Sequence, residues 1–207
     1  MRLSQVIVTG GLVSCLGIGV HAAATGDSIP VIAERALRSV VQVRMTDRAG
    51  RPLQQGSGFF VSPNGQLVTN FHVIEGASAG TVKRADGAFF EIVGVLAQDR
   101  QRDLAVLKIA GSNFEAMPLG DSEKLRIGDE VVAVGSPLSL EGTVSTGIIS
   151  GIRTDTPGLR LLQTTAPISP GSSGGALINR SGEVVGVTSL YVAKGQNLNF
   201  AIPSAAV

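Results

Sequence analysis

The sequence predicts an all-β protein, two antiparallel barrels of six strands each with a site between them, on three observations. Short strand-like segments follow one another in two groups, each segment bounded by turn residues. No long amphipathic helix separates them, which argues against βαβ units and a parallel sheet. Of 207 residues, 27 are glycine, only 4% are aromatic and 16% are charged, a balance suited to apolar strands and tight turns. The length is ample for a buried core.

The first element is a leader. Arg2 supplies a positive start, residues 6–20 are mostly apolar, and Val20-His21-Ala22 and Ala22-Ala23-Ala24 offer small-residue cleavage sites. Residues 1–24 are therefore expected to be a signal peptide. Leu12-Val13-Ser14-Cys15 also reads as a lipoprotein box, but 16–20 continue the apolar run, so lipidation ranks second. Gly10, Gly11, Gly17 and Gly19 interrupt the run and weaken a third reading, an uncleaved membrane anchor. Export implies a periplasmic or secreted protein. Cleavage after Ala24 removes Cys15, and with it any disulfide or cysteine metal site. It leaves 16 basic and 16 acidic residues, a neutral balance that argues against nucleic acid as a partner. It also leaves His72 as the one histidine.

Residues 30–39 have a helical spacing, with Ile32, Ala36 and Val40 four apart. Strands are expected at 40–45, 56–62, 67–74, 81–85, 89–98 and 104–109, within a first barrel at about 38–112. Ser62-Pro63-Asn64-Gly65 and Asp86-Gly87 mark turns. A looser stretch at 111–129 divides the groups. Strands at 131–135, 143–153, 159–165, 176–179, 184–191 and 198–202 make the second barrel, at about 128–207. No close internal repeat links the halves.

Three signals carry chemistry. Gly171-Ser172-Ser173-Gly174-Gly175 sets serines in a glycine turn, where a hydroxyl can be exposed and main-chain N–H groups can face an oxyanion. His72 ends an apolar strand, and Asp103 opens another whose Leu104, Val106 and Ile109 read as buried. Singly, each has a plainer reading: a linker, a core histidine, a turn aspartate. Together they give His, Asp and Ser across both halves, as a site between two barrels would need.

With these segments in hand, the chain resembles a chymotrypsin-fold serine protease, and within that group the protease domain of the HtrA/Deg family. The resemblance rests on Gly56-Ser57-Gly58-Phe59-Phe60-Val61, Thr69-Asn70-Phe71-His72-Val73-Ile74, Asp103-Leu104-Ala105-Val106-Leu107-Lys108, residues 128–137, Gly171-Ser172-Ser173-Gly174-Gly175-Ala176-Leu177 and Asn199-Phe200-Ala201-Ile202-Pro203-Ser204, in family order. It implies a triad of His72, Asp103 and Ser173 in a protease domain at 25–207. It implies an oxyanion hole from the backbone of Gly171 and Ser173, shaped by the Ser172 peptide. Gly-x-Ser-Gly-Gly makes Ser173, not Ser172, the nucleophile; Ser172 stands where the family often has asparagine. Pro167, six before Ser173, replaces the acidic residue that binds Lys or Arg in trypsin-like enzymes, so a basic P1 residue is not expected. Ile168, Leu190 and Phe200 would line an apolar pocket for aliphatic P1 residues, and Ser189 would lie on the strand that pairs with substrate.

Unfolded protein or peptide is the implied partner, and no cofactor or metal is called for. No segment long enough for a PDZ domain follows 202–204, so regulation through one is not expected to carry over, unless the sequence is a fragment. A homo-oligomer stays open: the family trimerises through an aromatic-bearing N-terminal segment, whereas no aromatic residue precedes Phe59. The segment at 43–56 is short for a long regulatory loop. Two other readings share these residues: a non-catalytic, chaperone-like binder of extended polypeptide, and an esterase. The intact triad weighs against the first, and the missing Gly-x-Ser-x-Gly elbow against the second.

Overall fold

A computed structural model describes residues 26–136, 142–154, 158–189 and 199–207. The expected leader, with Cys15 and His21, lies outside the described residues, as do Pro137, Leu190 and residues 191 and 198 of the expected strands.

Helix α1 (Ile29–Ser39) starts with Pro30 in its first turn, where a missing N–H costs nothing. Ile32, Ala36 and Ser39, at i, i+4 and i+7, form its buried face, which packs on the second barrel. Then come β1 (Val40–Thr46), β2 (Pro52–Ser62), β3 (Gln66–Thr69), the single turn α2 (Phe71–Ile74), β4 (Ala79–Lys83), β5 (Phe89–Asp99) and β6 (Leu104–Ile109). These strands close into a barrel in the order β1-β2-β3-β6-β5-β4. The second set is β7 (Glu130–Gly135), β8 (Thr143–Thr154), β9 (Arg160–Thr164), β10 (Ala176–Asn179), β11 (Val184–Ser189) and β12 (Asn199–Pro203). It closes in the same order, β7-β8-β9-β12-β11-β10. All pairs within the barrels are antiparallel, and β1–β4 and β7–β10 are the closing seams.

Strand alternation sorts apolar side chains into three cores. On β7, Val131 and Ala133 face the second barrel's interior, while Val132 and Val134 face the first barrel. On β2, Phe60 points into the first barrel and Phe59 out toward the second. Val40, Phe59, Val68 and Leu104 thus meet Val132, Val134, Ala176, Ile178 and Val187 in one interbarrel core. Each large side chain buried there stabilises the fold by about 1.5–3 kcal/mol.

Two expectations need correcting. The strand expected at 67–74 ends at Thr69, and residues 71–74 form α2 instead. The apolar run has strand character, but the His72 N–H donates to the Asp103 Oδ1 at 2.9 Å instead of entering a ladder. The strand expected at 56–62 starts at Pro52: residues 52–55 are exposed on both faces, so no hydrophobic alternation announces them, yet they pair with β1.

Candidate active site

His72 lies in the connection between β3 and β4. Val73 and Ile74 bury themselves in the first barrel's core and so anchor α2. The imidazole, 42% exposed, places Nδ1 2.8 Å from Asp103 Oδ2 and 3.0 Å from Oδ1. A carboxylate only accepts, so Nδ1 is assigned the proton and Nε2 is left as acceptor in the neutral ring.

Asp103 closes the turn between β5 and β6 at φ 54°, a left-handed conformation that aspartate tolerates better than most residues. Asn70, fully buried, donates from Nδ2 to the Asp103 carbonyl at 2.9 Å and holds that turn. Across the interface, the Ser189 hydroxyl donates to Asp103 Oδ2 at 3.2 Å. One carboxylate therefore gathers the His72 ring, the His72 main chain and a hydroxyl from the second barrel.

Ser173, 3% exposed, lies in the β9–β10 connection. Residues 169–172 make a turn closed by Ser172 N–H to the Ser169 carbonyl at 2.9 Å. Pro170 sets φ at the second position, and Gly171 follows at φ 92°, the signature of a type II turn. The next peptides are held one at a time. The Ser172 carbonyl accepts from Thr188 Oγ1 at 2.6 Å and from Gly175 N–H at 2.9 Å. The Ser173 carbonyl accepts from Ser57 N–H at 2.7 Å, and the Gly174 N–H donates to the Thr188 carbonyl at 2.8 Å. A Cβ on Gly174 would lie 2.1 Å from the Ser57 carbonyl oxygen, at φ 86°, so only glycine fits. A Cβ on Gly56 would press on both Val73 and the Ser173 carbonyl, which shows how closely the segment after His72 and the Ser173 main chain approach.

The structure thus joins His72, Asp103 and Ser189 directly and brings the 171–175 loop against the first barrel. Of the expected pocket residues, Ile168 is half-buried on the same connection. Phe200, 8% exposed, is in register with Ser189 and packs in the interbarrel core. Leu190 lies outside the described residues. Sequence reading singles out neither Asn70 nor Thr188. The available signal was a polar residue beside each key segment, but its partners are distant in sequence.

Two closed barrels of this topology make up the chymotrypsin-like fold. Residues 56–187 match the trypsin-like peptidase domain family. The chain is 43% identical over 175 residues to a Rhizobium meliloti protein named "Probable periplasmic serine endoprotease DegP-like", covering 78% of this chain and 34% of the relative. It is 42% identical over 161 residues to serine protease HTRA1 of Xenopus laevis, covering 74% and 34%. A solved HtrA-type protease, AlgW with a tripeptide, superposes with a TM-score of 0.78 at 35% identity, covering 87% of this chain and 61% of that one. The chain belongs to the trypsin-like peptidase family and, within it, to the HtrA/Deg type. It spans about a third of the length of these curated relatives.

Proposed function

We propose that the chain is the catalytic region of a serine endopeptidase that hydrolyses peptide bonds of unfolded or damaged proteins in the cell envelope. The observation that carries this reading is the His72 ring on the Asp103 carboxylate at 2.8 Å, beside a serine loop held peptide by peptide. In the proposed reaction Ser173 Oγ attacks the substrate carbonyl carbon while His72 Nε2 takes its proton. Asp103 holds the ring tautomer and stabilises the imidazolium. The N–H groups of Gly171 and Ser173 bind the oxyanion. The imidazolium then protonates the leaving amine, and water, activated by the same histidine, releases the acyl group.

An envelope location draws on the leader and on the periplasmic name of the Rhizobium relative. A peptide partner accords with the tripeptide carried by the solved HtrA-type relative. Pro167 weighs against a basic P1 residue, and the family resemblance suggests an aliphatic one. The test is Ser173→Ala. Wild type is expected to react with a fluorophosphonate and to cleave casein, and the variant to do neither. Fluorophosphonate labelling retained by the variant would sink the assignment.

A further inference from the structure

Ser57 is fully buried on β2 of the first barrel, yet its hydrogen bonds lead into the second. Its hydroxyl donates to the Gly171 carbonyl at 2.7 Å and accepts from the Ser136 N–H at 2.8 Å. A serine hydroxyl has one hydrogen; accepting from Ser136 leaves that hydrogen to point at Gly171. Its N–H donates to the Ser173 carbonyl at 2.7 Å, and its own carbonyl accepts from Thr69 Oγ1 at 2.7 Å. All of its polar groups are therefore engaged, two of them on the serine loop.

We infer that Ser57 is a positioning residue that fixes the spacing of the two oxyanion donors; this rests on the peptidase reading proposed for the site. The Gly171–Ser172 peptide is the link between the Gly171 N–H and the Ser173 N–H. A peptide is planar, so anchoring its carbonyl fixes the whole unit. The Ser57 hydroxyl anchors that link at its oxygen, while Ser169 anchors it at the Ser172 N–H. The Ser57 N–H anchors the peptide that follows Ser173. The residue thus grips the loop on both sides of the Ser172–Ser173 peptide. Without the hydroxyl, the Gly171 carbonyl and the Ser136 N–H each lose a partner, and the loop is free to seek others.

The test uses Ser57→Ala in the full chain, with a chromogenic peptide substrate, a peptide boronate that forms a tetrahedral adduct, and the product peptide as ground-state ligand. Substrate kcat is expected to fall about 10- to 100-fold with KM within about threefold. Boronate affinity should fall in step with kcat, and product affinity should hold. An unchanged kcat, or equal losses of boronate and product affinity, overturns the inference. If Ser57→Ala does not fold, Ser57→Cys serves: its thiol is a similar shape but a weak donor. Native folding with kcat at least about fivefold lower supports the inference, and wild-type kcat overturns it. A wild type that neither turns over peptide nor reacts with a fluorophosphonate removes the peptidase reading as well. An active wild type with an indifferent Ser57→Ala removes this inference alone.

Discussion

In the first barrel the β3–β4 connection carries His72; in the second, the topologically equivalent β9–β10 connection carries Ser173. The two are held by different means. The first is a helical turn pinned by Val73 and Ile74 in an apolar core. The second has its carbonyls bound by Ser57 and Thr188, and glycine where a side chain would collide. On the proposed function, the contrast follows from what each presents. A side chain needs a firm base and one orienting partner, and His72 has both. Main-chain donors have no side chain to steer them, so each peptide plane has to be fixed by its own hydrogen bond.

The sharpest way to break this comparison is at the orienting partner. Asp103→Asn keeps the shape but lets the His72 ring adopt the other tautomer, and kcat/KM is expected to fall about 10⁴-fold with little change in melting temperature. Steady-state kinetics on one peptide substrate measures it. Next comes a matched pair of connections. Gly174→Ala should lower kcat at least about a hundredfold and destabilise the fold by about 3 kcal/mol, from backbone strain and collision. Val73→Ala should cost about 2 kcal/mol in urea unfolding but lower kcat less than about tenfold, because the cavity lies under the helix and not in the peptide planes. Equal kinetic losses in the two variants would refute the contrast.

The smallest effect sharpens it at the barrel rims. In the first barrel, Asp47, Asp86 and Asp99 close hairpin turns. Asp47 is held below the ordinary carboxylate range by the Arg51 backbone and guanidinium, Asp86 by the Arg84 guanidinium, and Asp99 by the Arg102 backbone. A lowered folded-state pKa stabilises fully above the ordinary value of about 3.9 and loses that support as pH falls through the folded value. The β10–β11 turn uses Asn179, whose Oδ1 accepts from Ser181 and Glu183 N–H and does not titrate. Amide exchange from pH 5 to pH 2.5, corrected for intrinsic rates, should show the first barrel's three turns loosening while the Asn179 turn holds. These carboxylates are exposed, so the change is modest.

Much of this architecture was legible. Alternation in Val131-Val132-Ala133-Val134 places successive side chains in two different cores, and period-2 patterning is a local signal. The site residues were readable as residue types in glycine-rich or apolar settings. What hid was non-local. The turn at 71–74 depends on a carboxylate 31 positions away, and the Ser57 hydroxyl on a carbonyl 114 positions away. A serine in a strand beside Gly56 and Gly58 looks like any small strand residue until the second barrel arrives.

The interbarrel core also ties the second barrel to the assembly of the candidate site. Strands β1 to β6 hold His72 and Asp103, and residues 171–175 come with the second set of strands. Until β7 to β12 follow, Val40, Phe59, Val68 and Leu104 face water. A first barrel by itself has an exposed apolar flank and lacks Ser173. Covering that flank is the same step that delivers Ser189 to Asp103 and the Ser173 carbonyl to Ser57. Closing the interbarrel core and assembling the candidate site are a single structural step.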